Sequence, residues 1–355
     1  MLRRTRLAAL DRFLPRLVPL ALLVLLNGCS TLGYYAQLAD GQWQLLRARQ
    51  PVTQVIADPT TSPALRQRLE HSQAARRFAS AHLHLPDNRS YRLYADIQRD
   101  SVVWNVFATA EFSLDPVTHC FPIAGCVAYR GYYAPGAARG AAAVQRQQGL
   151  DVYVSGVEAY STLGWFDDPI ISSMMTWGDE RLATLIFHEL AHQNFYLKND
   201  TQFNESYASF VEQEGTRQWR AARGLAPDPP DAGRQLAQFT ALVLQTRERL
   251  QHLYAQPLPV AAMRAAKAAE FDGLRQRYAE LKAREWNGQG RFDRWVYSPL
   301  NNAKLLPFGL YDRYVPAFAR LFQQAGDDWP AFYQQVRHLG ALPAQEREAA
   351  LQRLL

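Results

Sequence analysis

The chain has 355 residues, 48% of them hydrophobic and 20% charged, which supplies enough apolar material for one large core or two ordinary ones and excludes a disordered polymer. Its formal charge of +6 is concentrated at the start, where Arg3, Arg4, Arg6, Arg12 and Arg16 against Asp11 account for +4 ahead of Cys29. The rest carries about +2, too little for the electrostatic footprint of a nucleic-acid binder.

The Arg-rich start is followed by an apolar run from Leu17 to Leu26, too short to span a bilayer as a mature helix, and then by Leu26-Asn27-Gly28-Cys29. Residues 1–28 therefore read as an export signal. The ending resembles the lipobox of bacterial lipoproteins, in which the cysteine is lipidated and becomes the new N-terminus. Ser30, in place of aspartate, resembles lipoproteins sent on to the outer membrane, facing the periplasm. The alternative is an ordinary signal peptide cut nearby, with Cys29 incidental.

A helix is expected from about Tyr34 to Arg49, stopped by Gln50-Pro51, and a second from Ser62-Pro63 towards His84. From Tyr91 to Leu114 β-branched and aromatic residues predict strands in a meander or hairpins. Cys120 and Cys126 are the two remaining cysteines, and in an exported chain their spacing around Pro122 and Gly125 predicts a disulfide-closed loop; a metal pair helped by His119 is the competing reading. Strands are expected at Val127 to Tyr133 and Val152 to Val157, with an Ala-rich helix at about Gly136 to Gln148 between them. After Asp179 the pattern is helical, and two proline-rich breaks, at 226–230 and 256–259, set off long charged helices at about 233–255 and 261–285. Strands first and helices after predict an α+β arrangement, in segments 29–85, 86–225 and 226–355.

The chemistry lies in His188-Glu189-Leu190-Ala191-His192. Histidines four apart project from one helix face, so both rings can address one ion, with Glu189 beside them to handle an activated water. Leu182, Leu185, Ile186 and Leu190 supply an apolar stripe, and Thr176 with Asp179 resembles a capping box. A catalytic zinc needs a third protein ligand and an open position. Glu205, thirteen residues after His192 in Asn204-Glu205-Ser206-Tyr207-Ala208, is the candidate, after a turn through Lys198-Asn199-Asp200. Glu212, two turns on, is an alternative ligand or a partner behind one, and Asp200 is a weaker alternative.

His188 to Gln193, the Asn-Glu-Ser-Tyr-Ala run and Val211-Glu212 resemble the gluzincin metallopeptidases. The mature chain, from about residue 29 to 320, resembles the bacterial family of predicted aminopeptidases through Cys120 to Cys126, Tyr129 to Tyr132, Ala159 to Phe166 and Asn301-Asn302-Ala303. The resemblance implies a zincin-like fold, zinc on His188, His192 and Glu205, Glu189 as general base and a peptide substrate. The interval to Glu205 is shorter than the eighteen residues common among better-known zinc aminopeptidases.

Transition-state charge needs a hydrogen-bond donor, and the candidates are Tyr297 and Tyr311. An edge strand at Val152 to Thr162 suits an extended substrate, and Glu158 or Glu212 is a candidate partner for a substrate's free amine. The aromatic turn Trp165 to Pro169 is a candidate subsite wall. The alternative functions are an envelope endopeptidase and a lipid-anchored, non-catalytic interaction protein on a peptidase fold.

Overall fold

The computed structural model describes residues 31–121, 125–159, 161–162, 166–226, 233–308 and 313–355. Helix α1, residues 31–47, turns Tyr34, Leu38, Gly41 and Leu45 inward at helical spacing. Gly41 lies so close to the Tyr133 ring that a β-carbon would overlap it. After strand β1 (Arg49–Pro51) come α2 (Val52–Ala57) and α3 (Pro63–Ala81), the latter with Pro63 in its first turn and the Ser62 hydroxyl accepting from Leu65 N–H.

The described residues form three small sheets. β2 (Leu93–Ala95) lies between β1, antiparallel, and β8 (Ile170–Ile171), parallel. β3 (Val103–Ala110) lies between β6 (Tyr129–Tyr132) and β7 (Leu150–Val157), both antiparallel to it, so β7 is an edge strand. The third is the hairpin of β4 (His119–Phe121) and β5 (Gly125–Val127), in which Cys120 and Cys126 face each other and are disulfide-bonded. Helix α4 (Pro135–Gln147) lays Ala138 and Ala142 on the β3 sheet.

The rest is helical: α5 (Asp179–Asn194), α6 (Thr201–Ala222), α7 (Arg234–Tyr254), α8 (Val260–Glu285), short α9 (Asp293–Val296) and α10 (Asn302–Leu305), then α11 (Val315–Gln324), α12 (Trp329–Ala341) and α13 (Ala344–Arg353). The architecture is mixed α+β with small sheets. The largest core joins Leu69 and Phe78 of α3, Phe187 of α5, Phe203 and Tyr207 of α6, Phe318 of α11 and Phe332 of α12, so the beginning, middle and end of the chain share it. Burial of each such side chain contributes about 1.5–3 kcal/mol, and this holds the α5–α6 pair on three sides. A second core, around Phe239, Leu274, Tyr278 and Trp286, belongs to α7 and α8.

The Asn301-Asn302 pair docks this second core. Asn302 Nδ2 donates to the carbonyls of Glu111 and Ser113, its N–H donates to Asp151 Oδ2, and its Oδ1 accepts from Tyr254. Asn301 Nδ2 donates to the Val152 carbonyl of β7.

Two local expectations change. Thr176 does not cap α5: it ends a 3₁₀ turn at Ser172–Thr176, its hydroxyl donates to the Ser173 carbonyl, and Gly178 occupies the cap position. Asp179 and Glu180 still place negative charge at the helix start, where the macrodipole favours it. The strand expected over Val127 to Tyr133 is divided at Ala128 between the disulfide hairpin and the β3 sheet.

Candidate metal centre

Helices α5 and α6 run antiparallel through a tight turn, and Asn204 sets its shape. Its Oδ1 accepts from Leu197 N–H and its Nδ2 donates to the Leu197 carbonyl, both at 2.7 Å, while Asn199 takes the left-handed conformation with φ of 66°. Asp200 caps α6 by accepting from Phe203 N–H and pairs with Arg347 of α13 at 2.8 Å. It is thereby engaged away from the histidines. Asn194 at the end of α5 donates to the buried Tyr207 hydroxyl of α6.

This turn brings Glu205 opposite the two histidines. His188 Nε2 and His192 Nε2 are 3.2 Å apart, and Glu205 Oε2 lies 3.4 Å from the first and 3.6 Å from the second. Zinc–nitrogen and zinc–oxygen bonds of about 2.0–2.2 Å at tetrahedral angles separate neighbouring donor atoms by about 3.3–3.6 Å, so the spacing of these three suits one zinc ion. Among the described residues this is the group of His, Cys, Asp and Glu whose ligand atoms converge.

Glu212 occupies a different place. His188 Nδ1 donates to Glu212 Oε2 at 2.8 Å, which fixes the ring and turns Nε2 towards His192 and Glu205. His192 Nδ1 is buried with no hydrogen-bond partner among the described residues. Burial alone would lower the His188 pKa, but Glu205 and Glu212 outweigh it and push it well above the ordinary value. Burial would raise Glu205, yet the two histidines hold it down to about 2. The carboxylates thus favour positive charge at this spot, which a divalent cation supplies.

Glu189 is partly buried beside the triad, and burial raises its pKa against the opposing pull of His188 and His192. Nearby, the buried Asp168 carboxylate is satisfied by Ser161, by the backbone and hydroxyl of Thr162, and by Gln193. These bonds hold the stretch after β7 against α5, one residue past His192.

Two phenols that sequence reasoning did not select stand at the centre. Burial pushes Tyr129 of β6 up to about 12, and the nearby Glu205 and Glu189 carboxylates add to the shift. Strand β6 follows the disulfide hairpin, whose Gly125 backbone lies against Asn199 in the α5–α6 turn, so Tyr129 enters from the sheet side. Tyr196 has its ring 6.2 Å from that of His192, and burial and Glu205 raise its pKa. Tyr196 lies beyond the end of α5, after the extended Phe195, so helical spacing from His192 gave no signal for it. For Tyr129, the Tyr-Arg-Gly-Tyr run gave no direction.

Of the earlier candidates, Tyr297 is 54% exposed and packs against Tyr278 and Lys282 of α8. Tyr311 and Cys29 lie outside the described residues, as does Trp165 of the aromatic turn. Glu158 accepts from Trp177 Nε1 at 2.5 Å and pairs with Arg181, tying the end of β7 to the start of α5.

Fold and site together define an α+β protein in which two histidines of one helix and a glutamate of the next face a single point, with a further acid alongside. The chain belongs to the family described as "Putative aminopeptidase", whose model matches residues 33–351. No curated protein and no solved structure matches it.

Proposed function

We propose that this protein is a zinc-dependent peptidase that removes N-terminal residues from peptides in the bacterial envelope, held through a lipid on Cys29 to the outer membrane and facing the periplasm. The observation that carries the hydrolytic reading is the convergence of His188 Nε2, His192 Nε2 and Glu205 Oε2 with Glu189 beside them. Zinc held there would polarise a peptide carbonyl and acidify a water molecule.

The remaining steps belong to the chain. Glu189 takes the proton of the attacking water and returns it to the leaving amine nitrogen. Tyr129 and Tyr196 donate hydrogen bonds to the oxyanion that develops on the carbonyl. The outer edge of β7, which pairs with no further strand among the described residues, offers backbone groups to an extended peptide. Family membership supports the exopeptidase reading, and the leader and Leu26-Asn27-Gly28-Cys29 support the location.

The purified protein is expected to hold one zinc per chain, to lose hydrolysis of free-N-terminus peptides on chelation and to regain it with zinc. Glu189→Gln is expected to keep the metal and lose turnover; a variant that hydrolyses at the wild-type rate would overturn the mechanism. Equal cleavage of an N-acetylated peptide would replace the aminopeptidase reading with an endopeptidase.

A further inference from the structure

Helix α1 carries apolar side chains on both faces. Its inner face, Tyr34, Leu38, Gly41 and Leu45, is fixed in two cores, which sets the helix's rotation. Its outer face presents Leu32, 72% exposed, Tyr35, 43%, and Trp43, 59%, with exposed Ala36 and Ala39 between them. Positions 32, 35, 36, 39 and 43 form one stripe at helical spacing, flanked by exposed Asp40, Gln44 and Arg47. A surface helix ordinarily turns polar residues to water, and a continuous apolar stripe with Trp and Tyr is the composition of a helix lying in a membrane interface.

The chain ahead of the helix identifies what covers the stripe. Cys29 precedes Thr31, the first described residue of the helix, by two positions, which places Thr31 within about 7 Å of it. Trp43 lies twelve residues further on, about 18 Å along the axis. A lipid on Cys29 therefore brings the start of the stripe to the bilayer surface, and a helix parallel to that surface reaches it along its full length. No helix among the described residues is long and apolar enough to cross a membrane.

We infer that the outer face of α1, through Leu32, Tyr35 and Trp43, docks in the phospholipid interface next to the anchor. The catalytic body is then held in a set orientation and does not swing on a free tether. This rests on the lipid-anchor reading of Cys29.

The test uses the full chain, produced in a bacterium and recovered in phosphatidylethanolamine–phosphatidylglycerol vesicles, alongside its Trp43→Phe variant. The fluorescence difference between the two reports Trp43 alone, and brominated phospholipids are expected to quench about half or more of it. A difference signal that brominated lipid leaves unchanged would overturn the docking, and it is also what results if a second protein copy covers the stripe. Mass analysis of Cys29 separately decides the anchor: quenching without a fatty acid supports docking and sinks the anchor, while a fatty acid without quenching does the reverse.

Discussion

His188 Nδ1 and Glu212 Oε2 are 2.8 Å apart, across two antiparallel helices and twenty-four residues of sequence. The carboxylate holds the imidazole by its far nitrogen, so Nε2 is aimed at His192 and Glu205 before any cation arrives. Glu212→Gln is therefore expected to weaken zinc binding about 10- to 100-fold with the fold intact, whereas Glu205→Ala, which removes the proposed ligand, is expected to weaken it more. Competition with a chromophoric chelator measures both. Equal losses would mean that Glu212 is itself a ligand.

Tyr129 belongs to strand β6, not to either helix of the α5–α6 pair, and its pKa is raised by burial and by the nearby Glu205 and Glu189 carboxylates. Tyr129→Phe is expected to lower kcat about 100-fold with zinc content and KM near wild type, the effect of losing one oxyanion donor. Tyr196→Phe and Tyr297→Phe give the comparison in the same assay. Full activity in Tyr129→Phe would remove it from the mechanism.

Asn204 closes the turn with both ends of its amide. Asn204→Ala removes the partner of Leu197 N–H and leaves the Leu197 carbonyl only its 3.3 Å bond from Asp200 N–H, and is expected to cost about 1–3 kcal/mol in denaturant unfolding. Zinc affinity should fall with it, because the same turn carries Glu205. A variant with wild-type stability and affinity would show the turn to be held by other contacts.

Lys304 is buried, donates to the Trp295 and Pro299 carbonyls and to Ser298 Oγ, and sits 4.7 Å over the Trp295 ring. Burial lowers its pKa from the ordinary 10.5 to about 8. Between these values the unfolded chain binds more protons at this site than the folded one, so its contribution makes stability rise with pH, by up to about 1.4 kcal/mol per unit. The difference between wild type and Lys304→Met from pH 8 to 9.5 isolates the slope from the tyrosines. A difference independent of pH would show that the lysine keeps its ordinary pKa.

The helices were legible where local signals sufficed: Ser62-Pro63 does start α3, and the break at 256–259 does separate α7 from α8, while residues 227–230 of the other break lie outside the described residues. Thr176 misled because a capping pattern is short and an intervening 3₁₀ turn uses the hydroxyl otherwise. The division of the Val127 to Tyr133 strand between two sheets was hidden because alternation gives no sheet membership. The Asn301-Asn302 pair was visible as a motif, but its role as a clamp on Glu111, Ser113 and Asp151 was not, since those partners are about 150 to 190 residues away.

By itself the sequence determined that His188 and His192 share a helix face with Glu189 beside them, because four-residue spacing acts through the backbone alone. It also offered Glu205 as the third ligand, Glu212 as an alternative or a partner behind one, and Asp200 as the weaker choice. Only the tertiary structure decided among them: the Asn204-closed turn faces Glu205 to the histidines, Glu212 stands behind His188, and Asp200 is drawn to Arg347. Tyr129 reaches the centre through strand pairing, which depends on the register of β3 with β6. Contacts of that kind follow from how separate elements pack, and no spacing along the chain encodes them.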